Sequence, residues 1–168
     1  MIEIGSEYSY NNGKAFVQNK SFFKTFSNKE LKVGYRPKST RGTTARHKEL
    51  VSLLSECGFE TEKTVNIGKA KHRMDGYRVR GKIRAEIELG VDHWACYKIL
   101  RHRAFCNEGV AKVLWIITYD KSVPKCYNNP KNKTVSCCQK LQKFLEEEGK
   151  QQNIMFPIYI IGIKCRDT

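Results

Sequence analysis

The stretch DGYRVRGKIRAEIELG, residues 75–90, contains the clearest strand pattern in this sequence. Apolar and charged residues alternate through its second half, so a pleated strand places Glu86 and Glu88 on one face. Their Cα atoms are then roughly 6.5–7 Å apart. Asp75 lies on the preceding strand, and the turn at Gly81 predicts a hairpin-like return that brings it beside Glu86. Three carboxylates are therefore expected to converge.

The composition favours a folded domain with a polyanionic partner. The chain has 168 residues, 40% of them hydrophobic, and 31 Lys and Arg against 17 Asp and Glu give a formal net charge of +14. Such a surplus favours nucleic acid, because every phosphate neutralised by the protein releases condensed counterions. No apolar run reaches transmembrane length, and no signal peptide precedes the chain. We therefore expect no membrane association.

The cysteines indicate reduced thiols in a cytoplasmic protein. There are seven, an odd number, and no Cys-x-x-Cys pair is present, so a zinc finger or ribbon is disfavoured. Cys126 with the vicinal pair Cys137–Cys138 is a weak metal-binding pattern, and packing on a helix is the favoured interpretation. The expected compartment is the cytoplasm, where thiols stay reduced.

The elements around the opening stretch predict an α/β (α+β) fold with a central mixed five-stranded sheet flanked by helices. Period and turn signals give a helix at 43–57, strands at 59–65, 73–79 and 82–89, a helix at 91–106, a strand at 110–119, a helix at 134–148 and a last strand within 156–165. The order is α-β-β-β-α-β-α-β, an antiparallel meander followed by helical crossovers. We expect one domain, residues 1–168, with its catalytic core at 43–119 and the loop, helix and final strand at 120–168.

Two further segments are candidates for DNA recognition. Residues 1–40 interleave basic and aromatic residues, which can grip a phosphate backbone and stack on bases. The favoured alternative is that Phe22, Phe23 and Phe26, at helical spacing, dock this arm on the core. A proline-containing loop at 120–132 is the second segment. The residues we expect to contact nucleic acid in or beside these segments are Arg41, Lys125, Asn128 and Asn129.

The acidic residues have both a chemical and a structural explanation. Clustered carboxylates are hard oxygen ligands of the kind Mg²⁺ prefers, and acids ringed by bases suit metal-assisted phosphodiester cleavage. The bases expected to contact nucleic acid are Arg73, Arg78, Arg80, Lys82 and Arg84. The structural explanation is that Glu86 and Glu88 form the solvated face of an edge strand.

In its acidic residues and its order of elements, the chain resembles the PD-(D/E)XK nucleases. Asp75, followed by Glu86-Ile87-Glu88 within this order of elements, is similar to the core of that superfamily over residues 43–119. Met74 stands where the family often has Pro, and Glu88 stands where most members carry a catalytic Lys. A Glu there resembles the BamHI-type restriction enzymes, and the related BglII-type enzymes have Gln.

The resemblance implies a restriction-endonuclease-like fold and a type II restriction enzyme, a Mg²⁺-dependent endonuclease that cuts double-stranded DNA at a short palindrome. Asp75 and Glu86 would ligate Mg²⁺, together with the backbone carbonyl of Ile87. Glu88 would ligate a second ion or orient the attacking water, and Glu49 matches an additional acid of some members. Such enzymes are usually homodimers, and a cognate DNA methyltransferase is the expected genetic partner.

Two alternatives stay open on the sequence. One is a structure-specific or repair nuclease with the same core, which would not give sequence-specific fragments from linear duplex. The other is a DNA-binding protein without catalysis, including a degenerate member of the fold, which the missing Lys keeps under consideration. In that case replacing Glu86 would leave DNA binding unaffected, and no metal would support cleavage.

Overall fold

The computed structural model describes residues 2–31, 45–90, 92–122 and 137–164. Within them the main sheet has six strands: β1 Ile4–Tyr10, β2 Glu60–Thr61, β5 Gly76–Arg78, β6 Ile83–Glu88, β7 Val113–Tyr119 and β8 Ile158–Ile163. A separate hairpin consists of β3 Thr64–Ile67 and β4 Ala70–Arg73. The helices are α1 Gly13–Val17, α2 Ser21–Ser27, α3 Ala45–Glu56, α4 Asp92–Asn107 and α5 Cys138–Glu148.

The main sheet is mixed, as predicted. Its strand order is β1-β8-β7-β6-β5-β2. The neighbours β6, β7 and β8 run parallel, whereas β1, β5 and β2 pair antiparallel with theirs. Every residue of β6, β7 and β8 is buried, which is typical of parallel strands covered by helices on both faces. The strand with the two glutamates therefore lies inside the sheet.

Alternating residues of β7 divide the apolar core into two halves. Trp115 faces α2 and α3, where its ring packs edge-on against Phe26 with the centroids 5.0 Å apart. The next residue, Ile116, faces α4 and α5 and shares a cluster with Ile99 and Leu141. Helices thus cover both faces of the sheet, and α4 covers the face on which Glu86 and Glu88 lie.

The prediction of five strands is corrected to six, because the N-terminal arm contributes β1. Its polar and aromatic residues gave no clean period, and its partner β8 is distant in the sequence, so local pattern did not reveal the pairing. The arm also docks on the core as favoured, with Phe22, Phe23 and Phe26 all buried. The predicted strand at 59–65 divides into β2 and β3 at Glu62, whose φ is 54°.

The described cysteines are all free thiols, and none of the helices in the described residues is long and apolar enough to span a membrane. Cys137 and Cys138 are buried at the start of α5, in agreement with the packing interpretation. Burial raises the pKa of the Cys138 thiol to about 11, so it stays protonated at neutral pH. Cys126 lies outside the described residues.

Candidate active site

Glu86 and Glu88 lie on an interior strand and under a helix. Ile87 points into the apolar cluster below the sheet, and the two glutamates point the other way, toward α4. Glu86 is 0% exposed and Glu88 is 6% exposed. The alternative of a solvated edge-strand face is therefore wrong. Burying two carboxylates is costly unless charged or hydrogen-bonding partners compensate them, so their partners define the site.

The hairpin-like return brings Asp75 to the same place, as the sequence predicted. Strands β5 and β6 pair antiparallel with Gly76 opposite Ala85, so Asp75, one residue before Gly76, stands beside Glu86. Its Oδ2 accepts a hydrogen bond of 2.9 Å from the backbone N–H of Ile87. This bond fixes the Asp75 carboxylate against the glutamate strand.

A lysine from the following helix lies at the centre of the three acids. Lys98 Nζ is 2.5 Å from Glu86 Oε2, 2.5 Å from Glu88 Oε1 and 3.7 Å from Asp75 Oδ2. Arg84, on the same face of β6, binds the other oxygen of Glu86, with Nε to Oε1 at 2.7 Å. Two cations and three carboxylates thus form one network beneath α4.

The network changes the protonation of its members. Burial opposes ionisation of Asp75, but the hydrogen bond from His47, the charge of Lys98 and the Ile87 N–H outweigh it and hold the Asp75 pKa at about 2. Burial raises the pKa of Glu88 despite Lys98 beside it, and the neighbouring acids add to the rise. Burial also disfavours the charged form of Lys98, yet the carboxylates around it raise its pKa well above the usual range. Lys98 therefore carries its charge at neutral pH.

Helix α3 contributes His47 to the site. Its Nε2 lies 3.3 Å from Asp75 Oδ1. Glu49, the additional acid implied by the resemblance, follows two residues later, so its side chain projects about 200° further around the helix. The geometry of α3 therefore favours His47 over Glu49 as the helical residue of this site.

The predicted nucleic-acid contacts lie at different depths. The exposed ones are Arg73, Arg80 and Lys82. Arg78 is half-buried, with its guanidinium 4.8 Å from the centroid of the Phe22 ring. Arg84 is only 3% exposed, which favours a role as the partner of Glu86 over contact with DNA. Four predicted contacts fall outside the described residues: Arg41, Lys125, Asn128 and Asn129.

Lys98 and His47 are the residues of this site that sequence reasoning missed. One signal could have found Lys98: α4 starts within a few residues of Glu88, so its first two turns must cross the carboxyl end of β6. A basic residue on the inner face of those turns is the natural counterion for buried acids. His47 gave no comparable signal, because its approach to Asp75 depends on how α3 packs across the sheet.

In the part of the chain that the structure describes, no group of three or more His, Cys, Asp and Glu side chains is arranged to hold a metal ion. The position on which the carboxylates converge is that of the Lys98 ammonium. The donors themselves, three carboxylates with the backbone carbonyl of Ile87 nearby, are the hard oxygens that bind Mg²⁺. In its chemistry the donor set matches such an ion, whereas the central position is that of Lys98 Nζ.

Comparison with known proteins identifies the family of this chain. The sequence model of the restriction endonuclease BglII/BglIII family matches residues 6–163. The chain belongs to this family. As a BglII/BglIII restriction endonuclease, it is a type II site-specific deoxyribonuclease, and the resemblance to the BamHI/BglII branch is confirmed.

Solved structures agree with the fold of a BglII/BglIII enzyme. The crystal structure of restriction endonuclease BglII complexed with a DNA 16-mer aligns with a TM-score of 0.71 and 13% identity, over 97% of this chain and 78% of that chain. The crystal structure of free BglII aligns with a TM-score of 0.61 and 14% identity, over 96% of this chain and 79% of that one. At such identities the likeness shows the shared fold alone. A comparison with curated proteins gave no match.

Proposed function

We propose that this restriction endonuclease hydrolyses double-stranded DNA at a short palindromic site with Mg²⁺ as cofactor, using Asp75, Glu86 and Glu88. The observation that carries the proposal is the convergence of these three carboxylates on one cation, Lys98 Nζ. Buried acids that meet around a single positive charge are poised to hold a divalent ion in the same region. The family assignment supplies the reaction that such an ion would serve.

Asp75, Glu86 and the backbone carbonyl of Ile87 would hold the ion, with Glu88 beside them. When bound, Mg²⁺ would stabilise the charge that develops on the scissile phosphate and lower the pKa of a bound water. The chain itself fixes the ligands: Arg84 holds Glu86 from the same face of β6, and the Ile87 N–H orients Asp75. Glu88, at the carboxyl end of β6, is positioned to orient the attacking water.

The exposed bases Arg73, Arg80 and Lys82 are our candidates for contacts to DNA phosphates. Arg73 precedes Asp75 by two residues, and Arg80 and Lys82 lie in the turn that leads into β6, so all three are close to the acids in the sequence. Arg41, Lys125, Asn128 and Asn129 remain proposed contacts to DNA, and their loops are where we place base recognition. Replacing a phosphate-binding base should reduce the salt dependence of DNA binding, and an unchanged dependence would remove it from the set.

Removal of the metal is expected to abolish cleavage. The protein, freed of divalent ions with EDTA, should leave mixed-sequence duplex DNA intact, and added Mg²⁺ should restore discrete fragments. Sequencing the ends of the fragments should give one shared palindrome. Cleavage with added Ca²⁺ should be compared with cleavage with added Mg²⁺, because Ca²⁺ binds carboxylates with looser geometry.

Three outcomes would contradict this proposal. Cleavage that persists in excess EDTA would exclude the metal. Fragments without a common end sequence would point to a structure-specific nuclease instead. Intact DNA with every divalent ion, despite tight binding, would make the chain a degenerate member of its family that binds without cutting.

A second copy of this chain is the proposed partner, through the outer face of α4. Trp94, Tyr97 and Leu100 are exposed on that face, with Trp94 55% exposed. The Tyr97 and Trp94 rings meet edge-on, and the Arg101 guanidinium lies 5.3 Å from the Tyr97 ring centroid. Trp, Tyr and Arg are the residues most enriched at the centres of interfaces. A two-fold dimer would match the symmetry of a palindromic site.

Replacing Trp94 by Glu is expected to give a monomer. The change buries a charge at the proposed interface, so analytical ultracentrifugation should show a mass near the 19.5 kDa of one chain instead of twice that value. Phe16→Glu is the matched control, because Phe16 is an exposed aromatic residue on α1, whose Val17 packs in the apolar cluster on the other face of the sheet. A wild-type protein that sediments as a monomer at high concentration, or a Trp94→Glu dimer, would contradict the α4 interface.

The proposed reaction also bears on the genetic partner and the compartment of the enzyme. An enzyme that cuts at a short site endangers the DNA of its own cell, so we propose a cognate DNA methyltransferase as genetic partner. We also propose the cytoplasm as the compartment, because the described cysteines are free and the substrate is DNA. Co-expression checks the first point: the active enzyme should be tolerated with its methyltransferase and toxic without it.

A further inference from the structure

The two cations that bind Glu86, Arg84 and Lys98, differ in how firmly the surrounding residues hold them. Arg84 binds Oε1 from a side chain that is 4% exposed, and its guanidinium also lies 4.0 Å from the centroid of the Phe105 ring. Lys98 binds Oε2 from a side chain that is 28% exposed, on a flexible stem. Arg84 is therefore a fixed partner of Glu86, whereas the Lys98 side chain is partly open to solvent.

Lys98 also occupies the place where a metal ion would act. Its Nζ contacts Glu86 and Glu88 at 2.5 Å each and lies 3.7 Å from Asp75. A divalent ion at the point where these oxygens converge would take the position of the Lys98 Nζ, and two cations at contact distance repel each other. Binding of the ion therefore has to displace the ammonium, and the ammonium has to weaken binding of the ion.

We propose that Lys98 is a displaceable counterion, which keeps the three acids together in the metal-free enzyme and contacts the scissile phosphate once the metal has displaced it. This inference rests on the proposed function. The face of β6 that carries the acids has Arg84, Glu86 and Glu88, so the strand itself supplies no ammonium at the reacting phosphate. Lys98 supplies one from α4. The displaced Nζ stays beside the acids, where an anionic phosphodiester must lie in order to be cut.

The proposal predicts opposite effects on metal binding and on cleavage. Lys98→Met should bind Mg²⁺ at least about tenfold more tightly in calorimetric titrations without DNA, because a competing unit charge at contact distance is removed. The same variant should cut DNA about a hundredfold or more slowly under single-turnover conditions, because the positive charge at the phosphate is lost. Lys98→Arg, which keeps a positive charge, should bind Mg²⁺ about as weakly as the wild type does.

Lys143→Met is the matched control, since Lys143 is an exposed helical lysine paired only at the surface with Glu147. It should leave both the Mg²⁺ affinity and the cleavage rate unchanged. A merely structural role for Lys98 would weaken Mg²⁺ binding and cleavage together. Mg²⁺ binding by Lys98→Met that is unchanged or weaker, or cleavage at the wild-type rate, would overturn the proposal.

A measurement on the wild-type protein keeps the test independent of how Lys98→Met folds. An amine-reactive ester should modify Lys98 slowly in the metal-free protein and faster with saturating Mg²⁺ alone, as measured by mass spectrometry of the Lys98 peptide. Lys143 should react at the same rate in both samples. An unchanged Lys98 rate in an enzyme that cleaves DNA with Mg²⁺ would overturn this inference alone. A wild type that cuts no DNA with Mg²⁺ would instead overturn the proposed function.

Discussion

Replacing Glu86 by Gln is expected to lower the rate of DNA cleavage by about a thousandfold or more. Glu86 is buried at the centre of the acidic network and is a proposed metal ligand, so the amide removes the charge that holds the ion at the phosphate. Gln has nearly the same shape and keeps an oxygen for the hydrogen bond from Arg84, so the fold should persist. The measurement is a single-turnover cleavage rate with the enzyme in excess over DNA.

Glu147→Gln is the control for this change, because it makes the same chemical substitution at an exposed position on α5. It should cleave at the wild-type rate. DNA binding by Glu86→Gln should equal or exceed that of the wild type, since one negative charge near the phosphates is gone. A Glu86→Gln enzyme that folds, binds DNA and cuts within about tenfold of the wild type would exclude Glu86 as a ligand of the essential metal.

Replacing Arg84 by Met is expected to reduce the free energy of unfolding by about 3–5 kcal/mol. The change removes the guanidinium from Glu86 and leaves a fully buried carboxylate with Lys98 as its remaining cation. The packing of the guanidinium on the Phe105 ring is lost as well. Urea unfolding at neutral pH measures the loss, with the denaturant slope as the check that unfolding stays two-state.

Two comparisons separate the buried ion pair from the loss of the side chain. Arg73→Met breaks the pair between Arg73 and Glu62, whose side chains are both exposed, and should cost less than about 1 kcal/mol. The double variant Arg84→Met with Glu86→Gln should lose less stability than the sum of the single changes, because no unpaired charge remains buried. Strict additivity would mean that Arg84 acts through packing and not through Glu86.

The course of the chain around the acids was predictable because it depends on short-range pattern. Alternation from Ile83 to Glu88 gave the strand and its two faces, and the glycine turn gave the return of Asp75. The continuous apolar runs gave β7 and β8 as buried strands. In each case the period of the sequence reports the burial of neighbouring residues directly.

The features that the sequence pattern did not predict depend on contacts between segments that are distant in the chain. Strand β1 forms because β8 offers an edge, and the two are more than a hundred residues apart in the chain. His47 and Lys98 reach Asp75 only after α3 and α4 have packed on the sheet. Alternation also cannot tell a solvated face from one covered by a helix, which is why Arg84 was expected at the surface and lies buried instead.

Anomalous diffraction from crystals of the enzyme with duplex DNA and Mn²⁺ tests the central claim most directly. We expect a peak bound by the carboxylates of Asp75 and Glu86 and the backbone carbonyl of Ile87, with the Lys98 ammonium withdrawn from its present position between the acids. A peak at any other residues, in crystals of an enzyme that cleaves DNA with Mn²⁺, would contradict the account. Asp75, Glu86 and Lys98 would then be a buried ion network with a structural role.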